Sequence, residues 1–134
     1  MAPVEQPETE QPSATYDGSC HCGAIAFKAT LSPPIEQQKL TQCNCSICYR
    51  NGYHLVFTPD ENVEWTKGGE DAMTKYSFNK QRIVHHFCPT CGTSLLARSV
   101  DPNFFPGFVG VNARSFDGVD VNTLEKRIID GKAL

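Results

Sequence analysis

The chain has 134 residues, 40% hydrophobic and 20% charged, a length and composition that one domain with a modest core fills. Its net charge of −3 and the scatter of its twelve Lys and Arg argue against a nucleic-acid partner, which would call for a basic stripe. No apolar run approaches the ~20 residues that span a bilayer, so no membrane association is expected.

Residues 1–15 read as a disordered, solvated tail, with three prolines, three glutamates and no aromatic residue. The chain starts without the basic and apolar regions of a secretory signal, so a reducing, cytoplasmic setting is expected. Residues 16–134 read as a single domain. Residues 24–31 alternate Ile25, Phe27 and Ala29 against Ala26, Lys28 and Thr30, the mark of a half-buried strand. Residues 46–49 suggest one helical turn. Residues 53–58 are aromatic and β-branched, and Thr58-Pro59-Asp60 closes them as a turn. Residues 62–66 form another strand, ended by Lys67-Gly68-Gly69. Residues 74–78 and 82–87 flank Asn79-Lys80-Gln81 as a hairpin. A strand over 93–100, a Pro-rich loop through 101–106 and a strand over 107–112 follow. Residues 121–129 are ambiguous between helix and strand. The class is mainly β, built of short strands that need a staple. The aromatic side chains, Trp65 and the eight phenylalanines, are expected to serve packing.

The staple is legible in the cysteines. There are seven, an odd number that cannot all pair as disulfides. They form Cys20-His21-Cys22, then Cys43-Asn44-Cys45-Ser46-Ile47-Cys48, then Cys88-Pro89-Thr90-Cys91. In a reduced protein such clusters point to metal. Zinc takes thiolates near ~2.3 Å in a tetrahedron, commonly four in a closed structural site and three where a position stays open. The outer pairs together would supply four sulfurs, and Gly23 and Gly92 follow each pair where a positive φ turns amides toward them. The middle group supplies three. Spacing alone leaves two alternatives: the middle group borrows a sulfur from a flanking pair, or it completes a tetrahedron with His54. His21 reads as a spacer, and the adjacent His85 and His86 face opposite sides of a strand, one in the core and one exposed.

At these residues the sequence resembles the glutathione-dependent formaldehyde-activating enzymes, a family of zinc carbon–sulfur lyases that includes a centromere-associated branch. The resemblance rests on Gly18-Ser19-Cys20-His21-Cys22-Gly23, on Cys43 to Cys48 and on Phe87-Cys88-Pro89-Thr90-Cys91-Gly92-Thr93. It extends to Val111-Asn112-Ala113-Arg114, Asp117-Gly118-Val119-Asp120 and Asp130-Gly131. It implies a β-tent or Mss4-like fold of short antiparallel sheets stapled by zinc, with two zinc ions per chain. Cys20, Cys22, Cys88 and Cys91 would hold the structural ion. Cys43, Cys45 and Cys48 would hold the catalytic one, with a substrate thiolate or water in the remaining position.

The implied activity is carbon–sulfur lyase chemistry on glutathione adducts or related thiol conjugates of small molecules. Tyr49, Arg50 and His54 follow the third ligand closely and are the candidate catalytic residues: Tyr49 or His54 for a proton, Arg50 for a carboxylate of glutathione. Residues 70–76 and 101–107 are the loops expected to shape the pocket. Two other readings stand beside this one, a zinc enzyme acting on a non-thiol metabolite and a non-catalytic zinc-binding interaction module. The terminal Lys132-Ala133-Leu134 only loosely resembles a peroxisomal signal.

Overall fold

The computed structural model describes residues 12–78 and 80–133. Residues 1–11, most of the expected tail, lie outside that range, as does Asn79 of the expected hairpin turn. The first strand, β1 (Ala14–Ser19), starts two residues before the expected domain boundary. It is followed by β2 (Ala26–Leu31), β3 (Leu40–Cys43), the six-residue helix α1 (Ser46–Asn51), β4 (Leu55–Pro59) and β5 (Val63–Lys67). Then come β6 (Thr74–Tyr76), β7 (Ile83–Phe87), β8 (Ser94–Ser99), β9 (Phe108–Asn112) and β10 (Lys126–Ile129). The class is mainly β, as expected. No helix is long and apolar enough to cross a membrane.

Among the described residues the strands form two sheets. The smaller has the order β1-β2-β5 and the larger β10-β3-β4-β9-β8-β7-β6. The alternation read in β2 holds: Phe27, Ala29 and Leu31 are buried and Lys28 is exposed. These side chains meet Val56 of β4, Leu95 and Leu96 of β8, and Val109 and Val111 of β9 in one core between the sheets. Trp65 closes the core by packing edge-on against Phe27, with ring centroids 5.6 Å apart.

Two strands depart from the sequence reading. β1 has little apolar alternation, and what seats it is the Tyr16 hydroxyl, which accepts from the Ile35 N–H at 2.9 Å and donates to Glu36 at 3.1 Å. β3 pairs in parallel with β10, Leu40 opposite Lys126 and Cys43 opposite Ile129, so the sheets are not purely antiparallel. The long connection after β9 carries the chain across to this edge, and residues 121–129 resolve into a 3-10 turn (Val121–Thr123) and a strand.

The larger sheet is apolar on both faces. Opposed residues of an antiparallel pair point to the same side. Val56 and Val111 therefore face the core, while Phe57 and Gly110 face away from it. Continued across the sheet, that outward face carries Thr41, Cys43, Leu55, Phe108, Ala97, His85 and Ile129 along the floor of a cleft of about 530 Å³.

Candidate metal centres and the cleft

The four-sulfur cluster joins the two sheets. Cys20 and Cys22 sit in the turn between β1 and β2 of the smaller sheet, and Cys88 and Cys91 in the turn between β7 and β8 of the larger. Their sulfurs all lie within 4.8 Å of one another. Cys22 Sγ is 3.6 Å from Cys20 Sγ and 3.7 Å from Cys88 Sγ. Zinc–sulfur bonds of ~2.3 Å give a tetrahedral edge of about 3.8 Å, so the spacing fits a zinc ion. Gly23 and Gly92 have φ of 83° and 80°, the left-handed conformation read from the sequence.

The thiols of this cluster perturb one another's protonation. The Thr93 hydroxyl, 3.3 Å from Cys91 Sγ, and the Thr93 N–H bring Cys91 down to about 5. The Ala24 N–H favours the Cys22 thiolate, but Cys20, burial, Cys88 and Cys91 together push Cys22 up to about 11. Sulfurs packed this closely cannot all ionise against one another, and a divalent ion among them removes that conflict.

The three-sulfur cluster lies at one wall of the cleft. Cys43 ends β3, Cys45 caps the N-terminus of α1, and Cys48 sits one turn on, where i and i+3 share a helix face. Their sulfurs also lie within 4.8 Å of one another. Burial raises Cys43 and Cys48. Burial pushes Cys45 up too, but the Cys48 and Ile47 N–H groups and the neighbouring thiols outweigh it and lower that thiol. The donor set suits a soft divalent metal, and no fourth ligand of that kind lies within reach among the described residues.

The chain's end is stitched to this cluster. The Asn44 amide donates to Asp130 at 3.0 Å, and Asn44 Oδ1 accepts from the Lys132 N–H at 3.1 Å. Between them, Gly131 lies against the sulfur of Cys43.

His54 does not join the cluster; it is buried, its Nδ1 has no partner, and it does not line the cleft. Tyr49 is 78% exposed and also lies off the cleft. Arg50 donates to the Ser46 carbonyl at 3.1 Å and borders a smaller adjoining groove with Tyr76 and Phe78. The structure therefore does not gather Tyr49, Arg50 and His54 around one point.

The residues it does gather are others. His85 and His86 are both buried, not one buried and one exposed. His86 faces inward, with Nε2 3.4 Å from Glu70 Oε1, and the Arg98 guanidinium bonds both Glu70 and Asp60. Glu70 is thus tied down beneath the sheet, and it is residues 104 and 105 of the other expected loop that reach the cleft. His85 lines the cleft, 5% exposed, stacked 5.8 Å from Tyr53 and 6.1 Å from Phe78. Burial lowers its pKa, as does the neighbouring His86, so the ring is neutral near pH 7. Tyr53 in turn packs with Cys48 and Leu55. The phenylalanines divide between core and cleft: Phe27 is buried, whereas Phe57, Phe105 and Phe108 are 46%, 68% and 47% exposed.

A profile described as glutathione-dependent formaldehyde-activating enzyme matches residues 15–128. The chain belongs to that family. A Halomonas elongata protein provisionally given the same name is 29% identical over 87 residues. That match covers 59% of this chain and 53% of the relative, about half its length. An uncharacterised lyase of Schizosaccharomyces pombe is 28% identical over 123 residues, covering 87% of this chain and 80% of the lyase. A crystal structure of a Rhodobacter sphaeroides protein superposes with a TM-score of 0.71 at 26% identity, covering 84% of this chain and 97% of that one.

Proposed function

We propose that the protein is a zinc-dependent carbon–sulfur lyase acting on glutathione adducts or related thiol conjugates of small molecules, with two zinc ions per chain. Cys20, Cys22, Cys88 and Cys91 would hold the structural ion, and Cys43, Cys45 and Cys48 the catalytic one. The observation that carries this reading is three converging sulfurs, with no fourth ligand of that kind among the described residues, at the wall of a cleft large enough for a small molecule. Bound there, zinc would supply Lewis acidity toward a thiolate sulfur, the atom formed or consumed when a carbon–sulfur bond breaks or forms.

The chain's own groups account for the remaining needs. Cleavage of a hemithioacetal breaks the C–S bond, forms a C=O bond and releases the hydroxyl proton, while the sulfur leaves as thiolate. His85 is the group we assign to that proton, since its ring lines the cleft beside the three sulfurs. Its stacking on Tyr53 and Phe78 fixes the plane of the ring. Arg50 borders the adjoining groove, where it could take a carboxylate.

Exchange between glutathione and its formaldehyde adduct, followed by NMR, tests the reading. The zinc-loaded protein should accelerate that exchange or the cleavage of another glutathione hemithioacetal, and Cys45→Ser should abolish the acceleration. No acceleration with any hemithioacetal tried would count against a lyase.

A further inference from the structure

The geometry points to a substrate whose carbon fragment is large and apolar, preferably aromatic, carried on an acidic thiol. This deepens the lyase reading and rests on it. A hydroxymethyl fragment has two non-hydrogen atoms, yet the cleft beside the three sulfurs measures about 530 Å³. Phe57, Phe78, Phe104, Phe105 and Phe108 all line it. The aromatic walls themselves offer no hydrogen bonds to polar groups, which would lose their water against them. They suit a hydrocarbon or aryl group.

The charges at the cleft supply the acidic half of the description. Among the described residues its charged lining residues are Lys80, Arg82 and Arg127, with no Asp or Glu, in a chain whose net charge is −3. Arg82 lies over the Phe104 ring, 4.2 Å from its centroid, so cation and aromatic wall form one surface. Three cations with no carboxylate among the described lining residues favour a ligand carrying carboxylates.

The loop bearing Phe104 and Phe105 adds a third observation. Phe105 has a φ of 48°, a left-handed conformation unusual for a bulky residue, and its side chain stays 68% exposed. The rings of Phe104 and Phe105 meet edge to face, 4.7 Å between centroids. An aromatic side chain held out in this way, at a conformational cost, marks a surface kept for a ligand.

S-methylglutathione, S-hexylglutathione and S-benzylglutathione separate the possibilities, with binding to the zinc-loaded full chain measured calorimetrically. Burying the added apolar surface should make the hexyl and benzyl ligands bind about 10-fold or more tighter than the methyl one, at one ligand per chain. Phe105→Ser and Phe108→Ser should erase that difference without altering the melting temperature, both side chains being exposed. Arg127→Ala should weaken the three ligands equally. In parallel, glutathione is added to cobalt-loaded protein. A cobalt response with equal affinities across the series overturns the apolar substrate class and leaves the lyase reading standing. No cobalt response overturns the lyase reading and the inference with it. Self-association of the chain that the ligands do not displace overturns the small-molecule assignment of the cleft.

Discussion

A methyl group on Gly131 would lie 2.2 Å from the sulfur of Cys43 and 3.3 Å from the Cβ of Cys45, so the chain's end and the three-sulfur cluster can approach this closely only through glycine. The contact involves backbone on one side and, in the proposed site, a metal-held sulfur on the other, so neither side yields cheaply. Gly131→Ala should displace Cys43 and cut bound zinc from two ions to one per chain. Overpacking of this kind costs typically about 1–3 kcal/mol, leaving a folded protein. Metal analysis with a thermal melt checks this, and retention of two ions at full affinity would contradict it.

The two clusters should fail differently. Cys88 is fully buried where the larger sheet meets the smaller, and a structural zinc contributes ~10–16 kcal/mol of apparent folding free energy. Cys88→Ser should therefore abolish cooperative folding, as should strong chelation. Cys45→Ser touches only the wall of the cleft, and should melt cooperatively with one zinc fewer. A cooperative melt for Cys88→Ser near the parent temperature would refute the stapling role.

The residues that explain this contrast differ in how legible they were. Thiolate coordination demands short, fixed spacings, so the cysteine groups could be read directly, and β2 could be read because only one of its faces is apolar. The cleft could not. β4 carries Leu55 and Phe57 toward the cleft and Val56 and Thr58 toward the core, an apolar run on which periodicity cannot say which face meets the core. The same ambiguity made the phenylalanines look like packing. The parallel pairing of β3 with β10 joins residues more than eighty positions apart, and no local pattern specifies it. Alternation sets His85 and His86 on opposite faces of β7 without telling that both are buried or that His85 meets the cleft.

Removing the His85 ring nitrogens while keeping an aromatic stack should separate catalysis from binding. His85→Phe is expected to lower kcat about 100-fold, within the usual range for loss of a general acid–base group, with KM little changed. Zinc content should stay at two ions per chain. An unchanged kcat would remove His85 from the proton path, and loss of zinc would show that the residue supports the metal site instead.

Stability should fall on mild acidification. Burial is the first cause of a lowered pKa at His54, His85 and His86. Between those depressed values and the ordinary ~6.5, the unfolded chain binds protons that the folded chain refuses, so stability rises with pH through that window. It is complete above about 6.5 and is lost below it. Urea midpoints at several pH values, with a zinc indicator to report metal loss, read the effect. The midpoint should drop before zinc appears in solution, and His85→Phe should soften the drop. A midpoint that falls only with zinc release would assign the acid sensitivity to the thiolates alone.

The central claim, one closed and one open metal site, is tested most directly by loading the full chain with cobalt and recording its visible spectrum as glutathione is added. Two cobalt ions per chain are expected, one of which changes its ligand field when thiol binds while the other does not. A single ion, or a second one already four-coordinate and indifferent to thiol, would contradict it.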